Sequence, residues 1–312
     1  MGTVSIRASD RDGPPVAVNG LTKRYGDVIA VDDISFEVSV GEVFGLLGPN
    51  GSGKTTTLEC LEGLRMPTEG EISICGVDPR RDPSAMAHIM GVQLQAAGLP
   101  PTMTPIEAIR FFAAYHRVAP RPRLLDRFGL ADHRDVRYEN LSTGLQRRLN
   151  LALAIAHDPP IVVLDEPTAG LDVASRSELH AAIRELSEAG RTVLLATHDM
   201  AEAEKLTDRV AILLRGRIVA VGSPRELTGT ADSRTKVSVR TERMTILEVL
   251  GSQTGIEVTM DGGYAITFTP NPGPLVAALL DHASAEGDPL IDLRVERPSL
   301  EERFLELTEV TP

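Results

Sequence analysis

The chain has 312 residues, enough to bury a large core and more in keeping with two domains than one. Hydrophobic residues make up 42% and charged residues 24%, the balance of a water-soluble globular protein; aromatics are scarce at 4% and tryptophan is absent. A formal charge of −12 argues against a nucleic-acid-binding face, which needs clustered basic charge.

No apolar run reaches the ~20 residues that span a bilayer. The polar start "MGTVSIRASDRDGPP" lacks the apolar core of a secretory signal, so a cytosolic location is expected. Cys60 and Cys75 are too few and too ordinarily placed for a disulfide framework or a zinc site and read as reduced core residues.

In chain order, residues 1–14 read as a polar tail, 15–230 as an α/β core and 231–312 as a small α/β accessory domain. Strand-like runs in the core include "EVFGLLG", "IVVLDEP" and "TVLLATHD", and "VAILLRGRIVAVG" reads as a hairpin turning at Arg215-Gly216. Such runs between helices predict a mixed or parallel sheet covered by helices. Between the first two of these strands, about residues 83–160 are dominated by helical spacing and predict a helical subdomain. There Thr104 suits a helix cap and Pro105 its first turn. After a linker at "GSPRELTGTADSRT", strands ("KVSVRT", "LIDLRVE") and helices ("RMTILEVLGS", "PLVAALLDHA", "SLEERFLELT") alternate, with a hairpin at Gly262-Gly263.

The strongest chemistry lies in "GLLGPNGSGKTT", where Gly48, Gly53, Lys54 and Thr55 fit G-x-x-x-x-G-K-[ST] after a predicted strand and before a helix. Gly48, Pro49, Asn50, Gly51, Ser52 and Gly53 form a loop whose backbone N–H groups, all but that of Pro49, which has none, can surround phosphates, with Thr56 continuing into the helix. Lys54 can reach the β- and γ-phosphates, and the Thr55 hydroxyl can bind Mg²⁺. "IVVLDEPTAGLD" delivers two adjacent carboxylates at a strand end: Asp165 for Mg²⁺, and Glu166 to orient and deprotonate an attacking water. A third element, "LSTGLQRRLNLALAI", starts a helix on Ser142-x-Gly144, aiming backbone N–H groups outward as an anion site that no nearby acid fills.

In this order, over about residues 16–227, the motifs resemble the nucleotide-binding subunit of ABC transporters, a P-loop NTPase fold with a mixed sheet and a helical subdomain. The family's signature helix usually starts LSGGQ; here Thr143 replaces the first Gly and Leu145 the Gln. The resemblance implies ATP and Mg²⁺ as cofactors and a dimer, of two identical chains or with a similar ATPase, in which Ser142 and Gly144 of one copy bind the γ-phosphate held by the other. It implies that Tyr25 stacks on adenine, that His198 hydrogen-bonds the γ-phosphate and that Asp172 touches the opposite subunit. It also implies a glutamine contacting Mg²⁺ and the attacking water, and the Gly91-plus-four spacing selects Gln95 over Gln93. Separate transmembrane permease subunits and a peripheral position on the cytoplasmic face of the membrane follow from the same resemblance, while the acidic charge disfavours a nucleic-acid partner.

The C-terminal "VERPSLEERFLELT" resembles the closing motif of drug- and antibiotic-export ATPases, close to the daunorubicin-resistance type. Locally it reads as a capped helix, with Ser299 as N-cap, Glu302 three residues on, and Leu300, Phe304 and Leu305 facing inward. The expected function is ATP hydrolysis that drives export of a drug, antibiotic or lipid-like substrate. An ABC importer subunit, or a soluble ABC ATPase of translation or DNA repair, are the alternatives.

Overall fold

The structure is a computed structural model that describes residues 13–93, 98–229, 235–252, 258–296 and 299–310. It forms two compact units that divide between Pro224 and Arg225.

The first unit runs β1 (Val16–Tyr25), β2 (Val28–Val38), β3 (Val43–Leu47), α1 (Lys54–Leu61), β4 (Glu69–Ile74), α2 (Pro83–Ile89) and β5 (Met90–Gln93). It continues with α3 (Pro105–Tyr115), α4 (Arg123–Arg127), α5 (Thr143–Ala154), β6 (Ile161–Asp165), α6 (Val173–Glu188), β7 (Thr192–Thr197), α7 (Met200–Leu206), β8 (Arg209–Leu214) and β9 (Arg217–Gly222). A short helix, α8 (Pro224–Thr228), carries the division between units.

Six strands form one sheet in the order β5-β6-β7-β3-β8-β9, parallel from β5 to β8 and closed by antiparallel β9. A second, antiparallel sheet has the order β2-β1-β4. Every residue of β3, β6 and β7 is buried, which explains why these strands read as unbroken apolar runs. Their side chains alternate between two cores. Phe44, Leu46, Ile161, Val163, Leu194 and Ala196 join the core that the smaller sheet and α1 complete. Val43, Val162, Leu164, Val193 and Leu195 join the core filled by α3, α4, α5 and α6. The period-2 pleat therefore makes one sheet the middle layer of the unit.

The segment at 83–160 supplies helices α3, α4 and α5, and also β5, whose residues pair in parallel with β6 from Met90↔Ile161 to Gln93↔Leu164. Four residues are too short to show a strand period, so this contribution to the sheet was invisible in the sequence. Thr104 and Glu107 form the reciprocal capping box that starts α3. The hairpin between β8 and β9 turns at Arg215 and Gly216, both at positive φ, the geometry of a two-residue turn that matches strand twist.

The second unit contains β10 (Thr235–Thr241), α9 (Leu247–Ser252), β11 (Val258–Asp261), β12 (Tyr264–Thr269), α10 (Pro272–Ala285), β13 (Leu290–Glu296) and α11 (Leu300–Val310). Its antiparallel sheet has the order β11-β12-β10-β13. One face packs on α9 and α10 through Val237, Val239, Leu250, Leu275 and Leu279. Burial raises the Asp288 carboxyl, but hydrogen bonds from the Arg243 and Thr245 amides and the Thr241 and Thr245 hydroxyls outweigh it and hold this acid well below the usual range. In α11, Ser299 and Glu302 cap one another and Leu300 is fully buried. Leu305, expected to face inward, is instead 56% exposed. Five residues on from Leu300 is ~140° around a helix, whereas Phe304, four on and half-buried, stays near the same face.

Candidate active site

The site assembles where parallel strands end. Sheet register sets Leu47 beside Thr197 and Asp165 beside Ala196, so the turns leaving β3, β6 and β7 emerge together at one sheet edge. The Gly48 amide donates to the Thr197 carbonyl at 3.3 Å, tying the loop at 48–53 to the end of β7.

That loop needs its glycines. A Cβ on Gly48 would lie 2.3 Å from the Leu213 carbonyl oxygen, and one on Gly53, at φ +106°, 2.5 Å from that of Ala30. Gly53 is the N-cap of α1, supplies no side chain to cap it, and no acid occupies the first turn. By contrast α2, α3, α5, α6 and α7 each begin on a side-chain cap, from Asp82, Thr104, Ser142, Asp172 and Asp199. The amides that open α1 are thus left for an anion, with the positive end of the helix dipole behind them. A cleft of about 270 Å³ lies over them, lined by Asn50, Gly51, Gly53, Lys54, Thr55, Thr56 and Glu166. Ser52 is buried beneath the loop, its hydroxyl without a partner among the described residues.

Lys54 is buried; its Nζ donates to the carbonyls of Gly48 (2.7 Å) and Pro49 (3.2 Å) and lies 3.7 Å from Glu166 Oε1. Burial lowers its pKa, against the opposing pull of Glu166 and Asp165. Asp165 closes β6 and accepts from the Thr55 hydroxyl at 3.0 Å through Oδ2. Its other oxygen is buried with no hydrogen-bond partner among the described residues. Burial raises its pKa, Glu166 adds to this, and the Thr55 hydroxyl and Lys54 oppose it. A buried orphan carboxylate oxygen beside a threonine hydroxyl suits a hard, oxygen-seeking divalent cation.

Glu166 has φ +48°, a left-handed backbone that strains a residue with a Cβ, and its amide donates to the Ala196 carbonyl at 2.9 Å. This bend lets adjacent carboxylates serve different partners: Asp165 meets Thr55, while Glu166 Oε2 meets His198 Nδ1 at 2.8 Å and Oε1 faces Lys54. The histidine ring is half exposed, so its far edge is open to solvent.

Lys54, Thr55, Asp165, Glu166 and His198 therefore form one cluster. Ser142, Gly144 and Asp172 form another, joined through Ser175. Ser142 Oγ accepts from the Leu145 amide at 3.3 Å, and Asp172 accepts from the Ser175 amide (2.9 Å) and hydroxyl (2.8 Å). These bonds lower the Asp172 pKa. A Cβ on Gly144 would lie 2.6 Å from Ser175 Oγ, so glycine is required by close approach to α6. Leu145 packs against the helical core. The polar anchor of this turn is instead Gln146, whose Nε2 donates to the carbonyls of Tyr138 (3.0 Å) and Leu141 (3.2 Å). Neither Ser175 nor Gln146 was singled out from sequence; the only signal was a small residue at N3 of a helix and a glutamine one place beyond the expected position.

Tyr25 ends β1 and is 40% exposed, with Lys23 Nζ 5.0 Å and the Arg65 guanidinium 5.8 Å from its ring centre. Gln95 lies outside the described residues. Gln93 ends β5, buried, with neither amide atom hydrogen-bonded among the described residues.

Comparison with known proteins gives a consistent result. The ABC transporter family model matches residues 31–169. Nod factor export ATP-binding protein I of Ralstonia nicotianae is 36% identical over 95% of this chain and 94% of its own length. The protein of the same name from Burkholderia pseudomallei is 43% identical over 68% of this chain and 72% of its own. Among solved structures, an ATP-binding subunit of an ABC transporter superposes with TM-score 0.63 at 29% identity, covering 68% of this chain and 91% of that one. A dimeric bacterial ABC transporter cassette gives 0.61 at 28% identity, covering 67% and 98%.

Proposed function

The chain belongs to the ABC transporter family as an ATP-binding subunit, an ATPase whose turnover drives transport, and from that premise we propose that two copies close around two ATP molecules to power export through separate membrane subunits. In this reading each ATP is held by the 48–56 segment of one copy and covered by Ser142 and Gly144 of the other. Tyr25 stacks on the adenine. Lys54 leaves its loop carbonyls for the β- and γ-phosphates, exchanging neutral acceptors for charged ones. Glu166 orients the attacking water and takes its proton, and His198 holds Glu166 on one side and the γ-phosphate on the other.

Thr55 and Asp165, with Gln95, would hold Mg²⁺, which neutralises charge on the phosphate oxygens when bound. Asp172 ends the composite site, its carboxylate held by Ser175 so that its loop meets the other copy in one conformation. Closure with ATP and release after hydrolysis would turn chemistry into movement between two arrangements.

The observation that carries this reading is the uncapped start of α1, faced by Lys54, Asp165 and Glu166. Export is supported by relatives named as export ATP-binding proteins, and a drug, antibiotic or lipid-like cargo by the closing motif at 295–308. No helix among the described residues is long and apolar enough to cross a membrane, in keeping with membrane subunits on other chains and a peripheral place at the cytoplasmic face.

The test is Glu166→Gln saturated with Mg·ATP. It should bind ATP, turn over at least about 100-fold more slowly, and accumulate a dimer seen by light scattering. Normal turnover would remove Glu166 from its role, and a slow variant that stayed monomeric would remove the shared site.

A further inference from the structure

Helices α6 and α7 follow the two loops that the proposed site uses most. Helix α6 begins at Asp172, and α7 begins at Asp199, directly after His198. Arg176, His180 and Arg184, four residues apart along α6, all reach α7. Arg176 pairs with Asp199 at 3.2 Å, His180 Nε2 lies 3.3 Å from Glu202 Oε1, and Arg184 donates to the Lys205 carbonyl at 2.7 Å. The i, i+4 spacing puts the three on one helical stripe.

The middle rung differs from the others. Glu202 is only 2% exposed, and a buried carboxylate is costly unless its oxygens are occupied. Each oxygen takes a hydroxyl from a different loop. Thr168, two residues after Glu166, donates to Oε1 at 2.6 Å, and Thr197, immediately before His198, donates to Oε2 at 2.6 Å. Thr197 Oγ1 also accepts the Asp199 amide at 3.0 Å, and Asp199 Oδ1 accepts the Glu202 amide at 2.9 Å. One carboxylate thus bridges the loop that carries Glu166 and the loop that carries His198, behind the 2.8 Å contact between those two side chains.

We propose that Glu202 is a positioning residue for hydrolysis: through Thr168 and Thr197 it sets the spacing of Glu166 against His198, and through His180 it ties that spacing to α6 and hence to the Asp172 loop. The proposal rests on the roles given above to Glu166 and His198. A charge-assisted hydroxyl bond on each oxygen is short and directional, so moving either loop breaks a bond that no water replaces. The Thr197 backbone carbonyl, not its hydroxyl, holds the Gly48 amide, and the two hydroxyl bonds to Glu202 involve neither Lys54 nor Tyr25, so their loss is felt in turnover and not in ATP capture.

The test uses the full chain and the Thr197→Val, Thr197→Ser, Thr168→Val and Glu202→Gln variants, measuring kcat and KM for Mg·ATP beside thermal unfolding. Valine keeps the shape and removes only the hydroxyl. Glutamine offers one acceptor oxygen where Glu202 offers two, so one of the two threonine hydroxyls loses its acceptor.

Thr197→Val and Glu202→Gln should each lower kcat about tenfold or more with KM within about twofold, and Thr197→Ser should recover the wild-type rate. In a Glu166→Gln background, Thr197→Val should produce no further slowing, because the contact it maintains is already disabled. A Thr197→Val chain with native unfolding and normal kcat overturns the proposal. So does a defect confined to KM, or one that multiplies fully with that of Glu166→Gln. If Glu202→Gln does not fold, the two threonine variants decide the matter by the same criteria. If Glu166→Gln itself turns over normally, the reading of the site fails and this inference with it. If Glu166→Gln is slow while Thr197→Val is normal, only the inference fails.

Discussion

Two helix starts in this chain are built from similar residues and end in different situations. At α1 the glycine at the cap offers no side chain, and Lys54, Thr55, Asp165, Glu166 and His198 surround the open amides with groups suited to phosphate, cation and water. At α5 the Ser142 hydroxyl folds back on the Leu145 amide, and the neighbours are Ser175 and the Asp172 carboxylate, which Ser175 already occupies. The first gathers charged groups around its open amides; the second offers donors alone. Helix polarity makes both attractive to anions, but only burial and the convergence of charged side chains make a centre that can do chemistry.

The largest effect expected from breaking this contrast is at α1. Lys54→Ala removes the ammonium that reaches the loop carbonyls, and ATP affinity by calorimetry should fall by about 100-fold or more. Undiminished affinity would mean the open helix start does not bind the nucleotide.

Next, Ser142→Arg fills the α5 start. Alone it should be inactive while still binding ATP, since its own α1 start is untouched. Mixed one-to-one with Lys54→Ala, it should regain activity, because half the dimers then carry one intact composite site; about a quarter of wild-type turnover is expected. A mixture no more active than the average of its parts would mean that each copy acts alone.

Gly144→Ala sharpens the comparison at lower cost. The new Cβ forces the Ser175 hydroxyl away from Gly144, and Asp172 loses that hydroxyl while keeping the Ser175 amide at the start of α6. Stability should fall by about 1 kcal/mol in urea unfolding and turnover by several-fold, with ATP affinity unchanged.

The smallest effect lies beyond the other end of α5. Burial, with His116 and His88 nearby, pushes the His157 pKa down to about 4 from 6.5. Between those values the unfolded chain holds a proton that the folded chain refuses. The ring's own contribution to stability is therefore full above about pH 6.5 and declines as the pH falls toward 4. Burial pushes the Glu62 carboxyl up to about 8, which acts in the opposite direction over this range, so the ring is read as a difference. Relative to His157→Gln, the native chain should lose about 1 kcal/mol in urea unfolding between pH 7.5 and pH 5 from this half-buried ring.

The parts of the site that could be read from sequence are those made by neighbours in the chain. In the proposed reading the loop binds through consecutive backbone amides at 50–55, so its glycines, lysine and threonine must be contiguous and their pattern is visible. The same holds for Asp165 and Glu166 at the end of an apolar run, for the Thr104 cap and for the capping pair Ser299 with Glu302. Other features had no local mark. Strand β5 is too short for a period, Leu305 turned outward on geometry that hydrophobicity does not encode, and Glu202 looks like one more acid on a polar helix.

What the amino-acid order determined alone is the chemistry on offer: a phosphate loop, two carboxylates at a strand end, and a Ser-x-Gly helix start. Which of these meet was decided only by the fold. Thr55 and Asp165 are 110 residues apart, Glu166 and His198 are 32, and Thr168 and Glu202 are 34. They touch because parallel pairing aligns the ends of β3, β6 and β7, and because α6 and α7 pack behind them. A short motif carries its own geometry in backbone amides. A contact between distant side chains exists only once the register of the strands is set.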